Sequence, residues 1–204
     1  MLAGLQSALA LAACGKRKPS VAALKSDARV LALGDSLTVG YGATPEQAWP
    51  ALLAQQTGWH VANEGVNGDT SAGALLRLES LLAASSYDAV LVGIGGNDML
   101  RGVSQRATQD NVAAIVRKAL AHTSYVALIA TPAPAPLRAT VGSLSDAAFY
   151  AEVAKAEKAL LISDVYSTVL SDAALRSDRI HANAQGYAVV AQQLADKLKA
   201  AGWR

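Results

Sequence analysis

Short apolar runs alternate along the chain with longer stretches in which apolar residues return every three or four positions. Runs at 29–33, 60–63, 88–94, 124–130 and 159–162 have strand length, and 46–57, 71–84, 108–121, 143–157 and 184–201 carry helical spacing. "DAVLVGI" and "YVALIA" are apolar at successive positions, the pattern of strands covered on both faces. Such strands alternating with helices predict a three-layer α/β/α fold around a five-stranded parallel sheet. With 204 residues, 52% of them hydrophobic, one domain can bury a sizeable core. No internal repeat or low-complexity tract interrupts the pattern.

In a sheet of this kind the loops after the carboxyl ends of the strands share one edge, where ligands bind. Those loops read "GDSLTVGYG" (34–42), "NEGVNGDTS" (63–71), "GGNDML" (95–100) and "SDRIHANAQG" (177–186), and they put Ser36, Gly68, Asn97, Asp178 and His181 on that edge. The first apolar run stops at Gly34, and the glycines at 40 and 42 predict that the following segment does not settle into a helix.

A serine hydroxyl becomes a useful nucleophile when a base takes its proton, and imidazole is the side chain suited to that near neutral pH. The chain has three histidines. His60 opens a strand on the opposite edge and reads as structural. His122 closes a helix, where a cation complements the macrodipole. His181 follows Asp178 by three residues, a spacing at which the carboxylate can accept the Nδ1 proton and orient the ring. By itself an Asp-x-x-His is also the look of a surface pair ahead of a helix, and a lone serine also caps turns.

Charge and cysteine content narrow the partners. A net charge of +2 gives no polyanion-binding surface, so nucleic acid is not expected. Cys14 is the single cysteine, which excludes an internal disulfide framework, and no Cys/His cluster has metal-ligand spacing. Residues 34–42 match neither dinucleotide nor phosphate-loop glycine patterns, and the Gly-Lys pair of "CGKRKPS" follows no strand. The uncharged apolar run before Cys14 is too short to span a bilayer and reads as a signal-type leader. Its "LAAC" ending resembles a bacterial lipoprotein signal, which implies membrane attachment through a lipidated Cys14 and a periplasmic or cell-envelope location. The alternative, favoured by the missing positive residues after Met1, is a frayed cytoplasmic N-terminus. Residues 1–26 are thus read as leader and linker, and 27–204 as the folded domain.

"GDSLTVGYG", "NGDTS", "GGND" and "DRIH", in that order, resemble the four blocks of the SGNH, or GDSL, hydrolases. "AWPALLAQQ" (48–56), "VANEGVNGDTSAGALLRLESLL" (61–82) and "VGIGGNDMLRG" (92–102) extend the resemblance toward the lysophospholipase, acyl-CoA thioesterase and arylesterase branch, over about residues 28–200. It implies the flavodoxin-like SGNH-hydrolase fold and a serine ester hydrolase that works through an acyl-enzyme with no cofactor. Carried over by position, Ser36 is the nucleophile, His181 the general base and Asp178 its orienting partner. Ser36, Gly68 and Asn97 form the oxyanion hole. Small-molecule acyl esters or thioesters are the implied substrates. A carbohydrate O-acetylesterase stays open as an alternative, with a non-catalytic flavodoxin-like binding module more remote. Two departures stand out: Ala182 follows His181 where the family usually has proline, and Arg179 occupies a position where a small residue is common, so a looser loop is expected. Asp35 and Asp98 read as loop-fixing residues, and Gly93, Gly95 and Gly96 as turn formers. The loop 131–145, rich in proline, reads either as a substrate wall or lid or as a stiff connector.

Overall fold

A computed structural model describes residues 22–134 and 144–204. Cys14, the leader and residues 135–143 of the proline-rich loop lie outside the described residues.

Five parallel strands, β1 (Arg29–Gly34), β2 (His60–Gly65), β3 (Ala89–Gly93), β4 (Val126–Ile129) and β5 (Leu160–Ile162), pair in the order β2-β1-β3-β4-β5. Among the described residues the helices are α1 (Ser36–Val39), α2 (Trp49–Thr57), α3 (Ser71–Ala84), α4 (Gly96–Leu100), α5 (Gln105–His122), α6 (Phe149–Glu157), α7 (Val165–Ser171) and α8 (Ala184–Ala200). The three inner strands are buried almost throughout, as their unbroken apolar runs require. Alternate residues of β1 serve opposite layers. Val30 and Ala32 pack with Trp49 and Leu53 of α2 and with Tyr187, Val190, Leu194 and Leu198 of α8. Leu31 and Leu33 pack with Leu78 of α3, Ile115 and Val116 of α5 and Phe149 of α6. Each such side chain contributes about 2 kcal/mol by leaving water.

Three short helices depart from the sequence expectation. After Gly34 the chain does make one helical turn, α1, because the Asp35 side chain caps it by accepting the Leu37 N–H, and Gly40 ends it in the left-handed conformation at φ 88°. α4 is too short to show a period, and α7, "VYSTVLS", is rich in β-branched residues that favour strands. α6 starts at Phe149 rather than 143. Before it, Ala133 N–H donates to Ser145 O and Ala147 N–H to Thr131 O, which holds residues 144–147 extended against the stem of the preceding loop.

The strand ends prepare the ground for the site. β2 and β3 lie on either side of β1, so the chain order reverses there and opens a crevice at the carboxyl ends. Gly65, Gly34 and Gly93 end these three strands in register. A Cβ on Gly34 would lie 2.6 Å from the Gly93 carbonyl oxygen, and one on Gly65 would lie 2.9 Å from the Asp35 carbonyl oxygen. Side chains are therefore excluded at Gly34 and Gly65, and α1 rests directly on the strand ends. At the other edge of the sheet, Leu24 N–H donates to Trp203 O at 2.9 Å and the Tyr125 hydroxyl to Ala22 O at 2.6 Å, which brings the segment before β1 against the chain's last residues. Among the described residues no helix is long and apolar enough to cross a membrane.

Candidate active site

Ser36 is the first residue of α1 and only 8% exposed. Its Oγ lies 2.9 Å from His181 Nε2, and His181 Nδ1 lies 2.7 Å from Asp178 Oδ2. With Nδ1 donating to the carboxylate, Nε2 is left to accept the serine proton, the tautomer a base needs. The carboxylate has two tasks, because its Oδ1 accepts the backbone N–H of both Ile180 and His181 and so shapes the loop that presents the ring. Partial burial pushes the Asp178 carboxyl up. The bonds from the His181 ring and from the Ile180 and His181 amides, together with the charge of His181, outweigh it and hold the group below the usual carboxylate range.

The loop expected to be loose without a proline at 182 is tied by hydrogen bonds. Ser177 N–H donates to His181 O at 3.0 Å and Ser177 Oγ to Ala182 O at 3.1 Å. Asn183 caps α8 by accepting the Gly186 N–H, while its amide donates to the Ala174 and Arg176 carbonyls. These bonds take over the rigidity expected of the missing ring.

Asn97 lies against the residue before the serine, and Gly68 is tied to the segment just beyond α4. The Asn97 amide donates to Asp35 Oδ2 at 3.4 Å, next in sequence to the serine. Gly68, at φ 74°, turns the loop after β2, and its carbonyl accepts Arg101 Nη2 at 2.8 Å from just beyond α4. Neither the Ser36 nor the Gly68 backbone N–H donates to a protein acceptor among the described residues. Asp98 is buried and fixes its surroundings as expected, accepting both the N–H and the hydroxyl of Ser71 at the start of α3. Asp35 is also a fixing residue, but a strained one: burial, helped by the charge of Asp69, pushes its carboxyl from 3.8 up to about 6. The Leu37 N–H, the charge of His181 and the Asn97 amide pull the other way.

Sequence reasoning passed over Arg77, Asp69, Arg101 and Tyr41. Arg77 Nε donates to Asp69 Oδ2 at 2.8 Å and its Nη2 to Gly34 O at 2.9 Å, so it ties the end of β1 to the loop carrying Gly68. The signal available was an arginine inside the otherwise apolar "AGALLRL". Of the histidines set aside, His60 is exposed at the first position of β2 on the far edge. His122 ends α5, but its role is that of an acceptor: Nε2 takes the Tyr87 N–H at 3.0 Å, which replaces the expected cation at the helix end. Among the described residues no His/Cys/Asp/Glu group is placed to hold a metal ion.

Comparison with known proteins places this geometry. Residues 32–189 match the GDSL-like Lipase/Acylhydrolase family. "Thioesterase 1/protease 1/lysophospholipase L1" of Escherichia coli K12 is 32% identical over 173 residues, 83% of each chain. "Esterase TesA" of Pseudomonas aeruginosa is 37% identical over 110 residues, 52% of this chain and 55% of that protein, so the chain spans about half the length of that relative. The crystal structure of the psychrotrophic esterase EstA from a Pseudoalteromonas species superimposes with a TM-score of 0.74 at 28% identity, covering 85% of this chain and 98% of that one. A parallel sheet whose strand order reverses at β1, a serine at its carboxyl edge and these matches lead to one conclusion: the chain belongs to the GDSL-like lipase/acylhydrolase family of ester hydrolases.

Proposed function

We propose that the protein hydrolyses acyl esters or thioesters of amphiphilic molecules through an acyl-enzyme on Ser36. The observation that carries this reading is the unbroken chain from Ser36 Oγ to His181 Nε2 and from His181 Nδ1 to Asp178 Oδ2. Ser36 Oγ bonds to the carbonyl carbon as its proton passes to His181 Nε2, and Asp178 steadies the resulting imidazolium. The negative charge gathers on the carbonyl oxygen, where the N–H groups of Ser36 and Gly68 and the second amide hydrogen of Asn97 are available as donors. His181 then gives its proton to the leaving oxygen or sulfur, and water reverses the sequence on the acyl-enzyme.

Surface chemistry supports an amphiphilic substrate. Of the large apolar side chains exposed among the described residues, all but Leu76 lie on the segments that follow α1, β2 and β3 or on the histidine loop: Tyr41, Val66, Leu100, Val103 and Ile180. Exposed apolar residues on the loops that carry the site suit an acyl chain better than a sugar. The apolar leader ending at Cys14 supports a cell-envelope placement, with residues 27–204 as the hydrolase domain.

Labelling with a fluorophosphonate tests the reading; the related EstA is described as inhibited by monoethylphosphonate. Wild type is expected to label and Ser36→Ala to lose the label, whereas a labelled Ser36→Ala protein would sink the assignment. A series of p-nitrophenyl esters from acetate to long acyl chains, run beside an O-acetylated sugar, separates the lipid-type esterase from a sugar deacetylase. Asn97→Ala removes one donor to the oxyanion and is expected to lower kcat about 10²-fold with KM little changed, measured on the best ester of that series.

A further inference from the structure

We propose that Tyr41 is a positioning residue for the general base: its ring, packed on the imidazole of His181, fixes that ring's tilt and stabilises the imidazolium formed when Ser36 gives up its proton. This rests on the Ser36 and His181 assignment above and gives Tyr41 a part in the proton transfer, which that reading does not.

The two rings are 4.5 Å apart between centroids and inclined by 40°. Tyr41 is 51% exposed, whereas the His181 side chain is only 12% exposed. The tyrosine leaves half of its own surface in water while it covers the histidine. Its backbone is pinned at both ends. Tyr41 N–H donates to Ser36 O at 3.0 Å, and the Tyr187 hydroxyl of α8 donates to Tyr41 O at 2.9 Å. One bond ties it to the nucleophile and the other to the helix that follows His181.

The flanking glycines explain how the ring gets there. Gly40 and Gly42 have φ of 88° and 93°, a region costly for residues with a Cβ. A Cβ on Gly42 would lie 2.8 Å from Ser177 Cβ and 2.9 Å from Ala182 O, so the chain can press against the histidine loop only with glycine there. Gly-Tyr-Gly thus turns the chain on both sides of Tyr41 and brings its ring against the imidazole.

A cation within about 6 Å of an aromatic face is attracted by the ring quadrupole. His181 is neutral before the proton transfer and charged after it, so the contact strengthens as the reaction proceeds, which is the condition for a catalytic benefit. Other charged or titratable groups around the imidazole are Asp178 on its own loop, Asp35 at the head of α1 and Tyr187 on α8, with Arg176 and Arg179 on the same loop. All of them remain in a Tyr41 variant, so a change in the imidazole's titration reports the ring alone.

The test combines NMR titration of the imidazoles with the pH profile of kcat/KM on a p-nitrophenyl ester. Loss of one of the three histidine signals in His181→Ala assigns that ring. In Tyr41→Leu the His181 titration and the ascending limb of the profile are expected to move about 0.5 pH unit to lower pH. In the same variant kcat should fall ~10-fold while KM changes less, because the base is held less well. Tyr41→Phe, which keeps the ring, should recover the limb and most of the rate. A His181 titration that stays put in Tyr41→Leu overturns the proposal, even if kcat falls. The NMR arm reads the resting protein, so it decides the Tyr41 contact whether or not the ester is turned over. A wild type that turns over no ester would instead count against the Ser36 reading.

Discussion

His181→Ala is expected to lower kcat on a p-nitrophenyl ester by ~10⁵-fold or more, with Ser36→Ala equally slow and the double variant no slower than either. On the proposed mechanism the hydroxyl and the imidazole act as one unit across a 2.9 Å hydrogen bond, so removing either leaves the other idle. What activity remains comes from the backbone and amide donors that polarise the carbonyl without a nucleophile. Asp178→Ala should fall less far, by ~10⁴-fold, because the imidazole survives with its tautomer no longer fixed. Here the loss has a second component, since the same carboxylate holds the Ile180 and His181 amides and shapes the loop. Steady-state kinetics of the single and double variants, with active-site titration of the folded fraction, decide the matter. A His181→Ala protein within tenfold of wild type, or a double variant far below both singles, would show that the two groups do not share one step.

Asp35→Asn is expected to make the protein more stable and less active. Burial pushes the Asp35 carboxyl from 3.8 in the unfolded chain up to about 6, so the folded state holds its proton more tightly. Stability from this group is therefore fully present below the unfolded value and is lost as pH rises through the window between 3.8 and about 6. Two units at 1.36 kcal/mol each put the loss at ~3 kcal/mol, constant at higher pH. An asparagine carries no such charge. Its carbonyl can still accept the Leu37 N–H and cap α1, but its NH₂ then faces the Asn97 NH₂, and the proposed oxyanion donor loses the acceptor that orients it. Thermal unfolding should show Asp35→Asn above wild type at about pH 8 by ~1–2 kcal/mol, with the gap closing toward pH 4, while kcat falls ~10–100-fold. A variant that gains no stability at the higher pH would mean that the buried carboxylate is not a burden on the fold.

How much of this was legible beforehand depends on whether the determining interaction is local. Strands β1, β3 and β4 announce themselves because two covering layers require apolar residues at every position, and that requirement is written in consecutive letters. Asp178 and His181 are three residues apart, so their partnership is a matter of spacing, and the serine could be placed on the right edge once the strand was found. α1 and α4 escaped because a single turn carries no period and its stability comes from a cap and from contacts with strand ends. Asp35 was legible as a fixing residue but its raised carboxyl was not, since the burial comes from α1, α4 and the loop after β2 closing over it. Tyr41 looks from sequence like an exposed aromatic between two turn glycines. Only the position of the 177–182 segment, more than a hundred residues away, gives those glycines their purpose.

The meeting of Leu24 with Trp203 on the amino side of the sheet has a practical corollary. α8 runs from the histidine loop down to that side, so residue 24 and the carboxyl-terminal residues lie together on the face farthest from the serine. A tether, tag or solid support joined after Arg204 leaves the carboxyl edge of the sheet pointing outward. A short peptide joining residue 204 to residue 22 gives a circularly permuted domain whose new termini can be opened elsewhere on the surface with the catalytic segments untouched.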